Sequence, residues 1–460
     1  MLLSFSVNNF LSIGNSQKLS MLKGSVKNKE NHLINYDCNL KILKFSAIYG
    51  ANASGKSNLI KAMHFAKSII INGVKSDSSR FYCRIDKENK EKITSFDFEI
   101  EIDKKFYTYG FDILLASNSI KAEWLYEIDI NREKEILVFS KEIGKPINLN
   151  AKYFDNEKKI IDRLNVYSED NKDVDTILFL KTINQNKENF YEEYRNNRVI
   201  LFQKLFNWFR NSLVIVFPNY SIDNARFFVK EESVKDINNI INKFGTGIKE
   251  CQLVKSDIQD LQSLLPIPVL KNIMTELEAL AIKNKSEKKI TYTLRINREL
   301  FFISKLGEDF EVKKVNFTHK NNYGEYLFNE ESDGTQRLFD LIEILLKKDE
   351  ERVYVIDELD RCLHPSLTYQ FVKMFFETSQ KNTQLIVTTH ESRLLNFNLL
   401  RRDEIWFANR ENNGPTKLYS LEKYNERFDK KIDKAYLDGR YGGVPIFETV
   451  FPVGEENENS

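Results

Sequence analysis

Three short stretches of the 460-residue chain carry residue types at spacings that suit chemistry on a triphosphate. "GANASGKS", Gly50 to Ser57, matches G-x-x-x-x-G-K-[ST] at every fixed position, with an apolar run before it and a helical pattern after it. Gly50 and Gly55 let the backbone turn tightly, so that successive N–H groups can point at phosphate oxygens. Lys56 supplies a point charge to the β- and γ-phosphates of ATP, and the Ser57 hydroxyl suits Mg²⁺. Asn52, Ser54 and Asn58 complete the candidate nucleotide-binding set. Average composition produces this pattern in roughly one chain per hundred, and the flanking strand and helix narrow it further.

"RVYVIDE" (352–358) ends an apolar run in Asp357 and Glu358. At the C-terminal end of a parallel strand, the first acid can hold Mg²⁺ through a water. The second can orient the water that attacks the γ-phosphate, or accept its proton. Two acids after a strand also describe a strand entering a loop; the phosphate motif in the same chain favours catalysis. His390 closes the next apolar run, "QLIVTTH", which places it at the mouth of a neighbouring strand. A neutral imidazole there can hydrogen-bond the γ-phosphate or the water, against the plainer reading of a surface histidine. His364, before Pro365, reads as punctuation ahead of a helix. "NEESDGTQRL" (329–338) reads as a helix start. Asp333 and Gln336 have capping-box spacing, and Leu338, Leu341, Ile342 and Leu345 form the stripe that follows.

The elements that must hold these residues follow from periodicity. Residues 1–150 read mainly as strands, with "ITSFDFEIEID", "KFYTYGFDILLA" and "IKAEWLYEIDI" predicting an antiparallel meander. Residues 151–305 read as a mainly helical insertion, although "LVIVF" (213–217) reads as a buried strand. From 306 to 460 strand and helix alternate, and two apolar strands flanking a helix predict a parallel sheet buried on both faces. The expected fold is α/β, a mixed sheet with an antiparallel β-subdomain and an inserted helical domain. No heptad persists long enough for a coiled-coil arm. The Lys-rich "KNKSEKKIT" (283–291) reads as a solvated loop and "GEENENS" (454–460) as a frayed tail.

Composition excludes several classes. Lys and Arg total 68 against 67 Asp and Glu, a net charge of +1 that carries no global footprint for nucleic acid. Cys38, Cys83, Cys251 and Cys362 lie far apart, which argues against a zinc ribbon or a disulfide framework and fits a reducing cytoplasm. Neither a signal peptide nor a membrane span is expected.

Together "GANASGKS", "VYVIDE" and "LIVTTH" resemble the Walker A, Walker B and switch-histidine motifs of ABC-type ATPase heads. The nearest branch contains SMC and RecF proteins and the OLD-type ATPases, whose opening strand "LLSFSVNNFLSI" also resembles. "NKFGTGIKE" and "AYLDGRYGGVPIF" are similar to the RloA-type bacterial ATPases, which are often encoded beside a nuclease and act in phage defence. The resemblance implies head-to-head pairing, in which "ESDGTQ" acts as the LSGGQ-like signature for a second copy's ATP. Ser332 would bond that copy's γ-phosphate, Gly334 would allow close approach and Thr335 would stand where Gln is usual, with Asp333 replacing a glycine. "LDRCLH" (359–364) would be the D-loop. No TOPRIM nuclease domain is expected after His390. The expected partners are a second copy of the chain, a separately encoded nuclease or toxin effector, and a nucleic acid or phage protein as trigger. Two alternatives stand beside this: a RecF-like DNA-repair ATPase, which would need a basic surface, and a nucleotide-loaded scaffold with little turnover.

Overall fold

The computed structural model describes residues 1–218, 231–283, 290–306, 309–320, 323–346, 351–378, 382–410, 414–424, 432–437 and 441. Most of "KNKSEKKIT", most of "AYLDGRYGGVPIF" and all of "GEENENS" lie outside them. The chain forms two compact units, each assembled from several segments.

The second of these contains Leu3–Asn28, Ser46–Phe202 and Thr388–Ser460. Its meander is the expected one: Thr94–Ile102, Lys105–Leu114, Ser119–Asp129 and Lys134–Glu142 pair antiparallel in sequence order, and Asn148–Leu149 adds to the far edge. Alternate residues Phe96, Phe98 and Ile100 are buried, as period two demands. Phe98 meets Phe5 of the opening strand at 4.7 Å between ring centres, and Phe96 meets Phe65 at 5.7 Å. Phe65 belongs to the helix Lys56–Asn72, so the meander is a bed for the helix that follows the phosphate loop. Ile405–Asn409 pairs parallel with Phe45–Tyr49 and antiparallel with Lys417–Ser420.

The other unit contains Met1–Leu2, Lys29–Phe45 and Gln203–Val387. Arg352–Ile356 lies between Leu213–Val216 and Thr383–Thr388, parallel to both. The strands reach their C-terminal ends in register, Val216 opposite Ile356 and Ile356 opposite Val387. Every residue from Thr383 to Thr388 is buried, which explains the continuous apolar run. Leu385 donates to the Lys44 carbonyl, so this strand also neighbours the chain that becomes Phe45–Tyr49. A second sheet has the order Ile248–Ser256, Asp309–His319, Glu299–Leu306, Ile290–Ile296. Leu270, Ile273 and Leu277 of helix Ile267–Lys283 pack onto its Phe301, Ile303 and Val312. The stretch from 151 to 305 therefore contributes strands to a sheet as well as helices. Among the described residues no helix is long and apolar enough to cross a membrane.

One buried charge ties the meander to the helices after it. Glu123 is fully buried and accepts from the Phe179 N–H at 2.5 Å, the Leu180 N–H at 3.0 Å and the Tyr109 hydroxyl at 2.9 Å. Burial raises its pKa, while these bonds and the Lys141 charge oppose the rise. Glu123→Ala would orphan all three donors, and should lower the free energy of urea unfolding by about 3 kcal/mol or more.

Candidate nucleotide site

The phosphate loop forms where strand Phe45–Tyr49 ends and helix Lys56–Asn72 begins. A Cβ on Gly50 would lie 2.4 Å from the Ala408 carbonyl oxygen. A Cβ on Gly55, whose φ is +101°, would lie 2.0 Å from Thr416 Oγ1 and 2.8 Å from Ser12 Oγ. The loop therefore comes closer to its surroundings than any side chain permits. Ala53 adopts φ 63°, a left-handed conformation uncommon for alanine. Hydroxyls brace the turn: Asn58 Nδ2 donates to Ser12 Oγ at 2.7 Å, and Ser12 Oγ and Thr416 Oγ1 share a hydrogen at 2.7 Å. Thr416 Oγ1 also lies 2.9 Å from the Ser54 carbonyl. Asn58 thus directs its amide to the brace. Lys56 is buried and its ammonium donates to the carbonyls of Gly50 at 2.6 Å and Ala51 at 3.0 Å, curling over the loop. Ser54 Oγ is buried without a hydrogen-bond partner. A loop of this curvature, with a lysine over it and a polar atom to spare, fits a polyphosphate.

His390 sits two residues beyond strand Thr383–Thr388 and is exposed. Its neighbours fix it to the end of the phosphate-loop strand. The Thr389 N–H donates to the Ile48 carbonyl at 3.1 Å, and the Tyr49 hydroxyl to the Glu391 carbonyl at 3.4 Å. Tyr436 was missed by motif reading. It packs edge-on to Tyr49 at 5.7 Å; burial raises its pKa, and a hydrogen bond with the Gly50 backbone works the other way. Its sequence signal was its place in "AYLDGRYGGVPIF", a stretch the resemblance singled out without giving the tyrosine a role.

Asp357, Glu358 and the turn "ESDGTQ" all lie in the other unit. Asp357 is 3% exposed and donates its N–H to the Val216 carbonyl at 2.9 Å, closing the parallel ladder. Glu358 is half-buried with φ 54°, a strained turn that redirects the chain at once after the strand. Cys362 repeats the left-handed conformation at φ 62°. A Cβ on Gly334 would lie 2.7 Å from the Cys362 carbonyl oxygen, so the signature turn packs directly on "LDRCLH".

The expected capping box is not formed. The Thr335 N–H donates to Ser332 Oγ at 3.1 Å, which makes Ser332 the cap and Asp333 the first residue of helix Asp333–Leu346. Gln336 turns to the Glu331 carbonyl at 2.9 Å, and Asp333 pairs with Arg298 at 2.7 Å. A short hydroxyl beside the first free N–H competes better than an aspartate that can reach an arginine. Thr335 is buried, whereas Ser332 and Asp333 face solvent. His364 is the cap of helix Pro365–Glu377, with Nδ1 accepting from the Ser366 N–H at 3.2 Å.

Arg337 is the second residue that motif reading missed. It is 6% exposed, and its Nε and Nη2 have no hydrogen-bond partner. Burial lowers its pKa, with Asp340, Cys362 and Glu358 among the opposing charges. The signal was available: Arg337 stands four residues before Leu341, on the stripe that otherwise buries apolar side chains.

A family model described as "AAA domain, putative AbiEii toxin, Type IV TA system" matches residues 45–396. No curated protein matches the chain by sequence. Among solved structures, an SMC head bound to the C-terminal winged-helix domain of ScpA is similar at 14% identity and a TM-score of 0.41, covering 91% of this chain and 97% of that one. The SMC head domain from Thermotoga maritima is similar at 14% identity and a TM-score of 0.37, covering 91% and 98%. A head with an extended coiled coil, bound to the C-terminal domain of ScpA from Pyrococcus furiosus, is similar at 16% and 0.39, covering 92% and 97%.

A buried guanidinium with two unused donors is costly, and an apolar side chain of similar length removes the cost. Arg337→Met should hold or raise the urea-unfolding free energy by about 1 kcal/mol, while ATP turnover falls at least tenfold. Lost stability with unchanged turnover would make Arg337 a structural residue.

Proposed function

The chain belongs to this AAA-domain family, and from that premise we propose that it is an ABC-type ATPase that works as a head-to-head pair and governs a separately encoded effector. The observation that carries the reading is the phosphate loop, where Gly50 and Gly55 occupy places no side chain can enter and Lys56 arches over the turn. In the proposed roles, Gly50, Asn52, Ser54 and Gly55 present the loop to the β- and γ-phosphates of ATP, with Asn58 holding its geometry. Lys56 exchanges its loop carbonyls for phosphate oxygens. Ser57 and Asp357 would be the residues that hold Mg²⁺, which would supply charge neutralisation at the phosphates. Glu358 orients the attacking water and takes its proton, and His390 donates to the γ-phosphate. An exposed Ser332, beside a glycine at a helix N-terminus, suits a phosphate brought by a second copy. Ser332, Gly334 and Thr335 would serve that copy's nucleotide.

The effector reading is supported by the family's description, which names a toxin of a toxin–antitoxin system. Within that frame the ATPase gates a nuclease or toxin in phage defence, with a nucleic acid or phage protein as trigger. The balanced charge weighs against a DNA clamp as the principal role.

Two variants test the reading. Glu358→Gln should retain ATP, lower steady-state phosphate release by roughly a hundredfold or more, and hold a dimer visible by mass photometry. Unchanged phosphate release would remove Glu358 as the base. Ser332→Arg should bind ATP within a few-fold of the parent protein yet lose both ATP-driven pairing and turnover; retained turnover would return the stretch to an ordinary helix start.

A further inference from the structure

A cavity of about 260 Å³ opens beside helix Lys56–Asn72, away from the phosphate loop. Its floor is a cluster of three phenylalanines. Phe10 lies 5.2 Å from Phe65 and 5.9 Å from Phe81, and Phe65 meets Phe81 edge-on at 5.3 Å. Ile69 continues this apolar floor. The rim is different in kind. Lys61, His64 and Lys75 stand around the mouth, with Asp77 as the one acid among the lining residues. Burial, followed by the charges of Lys67 and Lys75, lowers the pKa of His64. Lys61 and Lys75 outnumber Asp77 there, so the mouth is net cationic over an aromatic base.

The cavity is also mechanically joined to the phosphate loop. Leu11, on its wall, adopts φ 51°, which is strained for a leucine and is held by its N–H donating to the Phe81 carbonyl at 2.7 Å. The next residue is Ser12, whose hydroxyl bonds Asn58 and Thr416 in the brace of the turn. A side chain or ligand that shifts Leu11 must shift Ser12 with it.

We propose that this cavity binds a small aromatic anion, its ring stacked on the phenylalanine floor and its carboxylate or phosphate at the cationic rim, and that occupancy is transmitted to the phosphate loop through Leu11 and Ser12. The volume suits one or two fused rings rather than a peptide segment. Contact with the rings of Phe10, Phe65 and Phe81 selects the ring, and Lys61 and Lys75 select the charge.

The test uses the full chain and three probes: anthranilate, indole-3-carboxylate and phenyl phosphate. Calorimetric titration should show saturable binding of at least one probe, one per chain, that persists in saturating ATP. Benzamide and acetate, which keep the ring or the charge alone, should bind at least tenfold more weakly. Ser68→Trp fills the cavity and should abolish binding; Lys75→Glu, an exposed rim change that leaves the core alone, should weaken it about tenfold. Both variants should bind ATP as the parent does. The bound probe should change ATP affinity at least threefold in the parent chain and not in Ser68→Trp. Absence of saturable binding by all three probes, or binding indifferent to Ser68→Trp and Lys75→Glu, overturns the site. Binding without any change in ATP affinity overturns the coupling. Loss of ATP binding in the parent chain would instead strike the proposed ATPase and leave the cavity standing.

Discussion

The structure depends on a turn that has no room for side chains. Between Tyr49 and Lys56 the backbone passes so close to the Ala408 carbonyl and to the Thr416 and Ser12 hydroxyls that only glycine fits at Gly50 and Gly55. Three segments distant in sequence must converge for that to happen. The loop after the opening strand brings Ser12, the loop before the edge strand brings Thr416, and Ile405–Asn409 lays Ala408 across the turn. The phenylalanines of the meander hold the following helix from below. Much of one unit can be understood as the support for eight residues.

Buried charge divides into two kinds. Glu123 has three donors, and Arg401 is bound to Asp403 at 2.7 and 2.9 Å and to the Val26 carbonyl at 3.0 Å. Those groups are satisfied, and they join elements that are far apart in the chain. Arg337 is also buried, yet two of its donors have no partner. Folding alone does not favour such a group, because nearby charges only partly compensate its desolvation. It lies on helix Asp333–Leu346, where the charges of Asp340, Cys362 and Glu358 oppose the effect of its burial.

Helix Asp333–Leu346 shows how a cap can leave further donors at a helix N-terminus. Ser332 occupies one free N–H of the first turn, and the rest of that turn remains an array of donors at the positive end of the dipole. Gly334 lets the turn rest on the Cys362 carbonyl. Leu338, Leu341, Ile342 and Leu345 are fully buried, each contributing roughly 1.5–3 kcal/mol. The apolar stripe holds the helix so that its N-terminus can face outward.

The sequence by itself determined the local chemistry. Gly50–Ser57, the meander, the buried strands ending at Asp357 and before His390, and the stripe on the signature helix are all readable, because each depends on spacing within one element. Three features were decided only by tertiary structure. Ser332 displaced Asp333 as the cap because Arg298, remote in sequence, draws the aspartate away. Ser12 and Thr416 became the brace of the phosphate loop because loops far apart in the chain carry their hydroxyls to the same point. Strands of 248–306 joined a sheet within a stretch that reads as helical, since pairing with Asp309–His319 outweighs weak local preference. Periodicity along a chain records which face of an element meets the core; it does not record which distant hydroxyl, charge or strand will be waiting there.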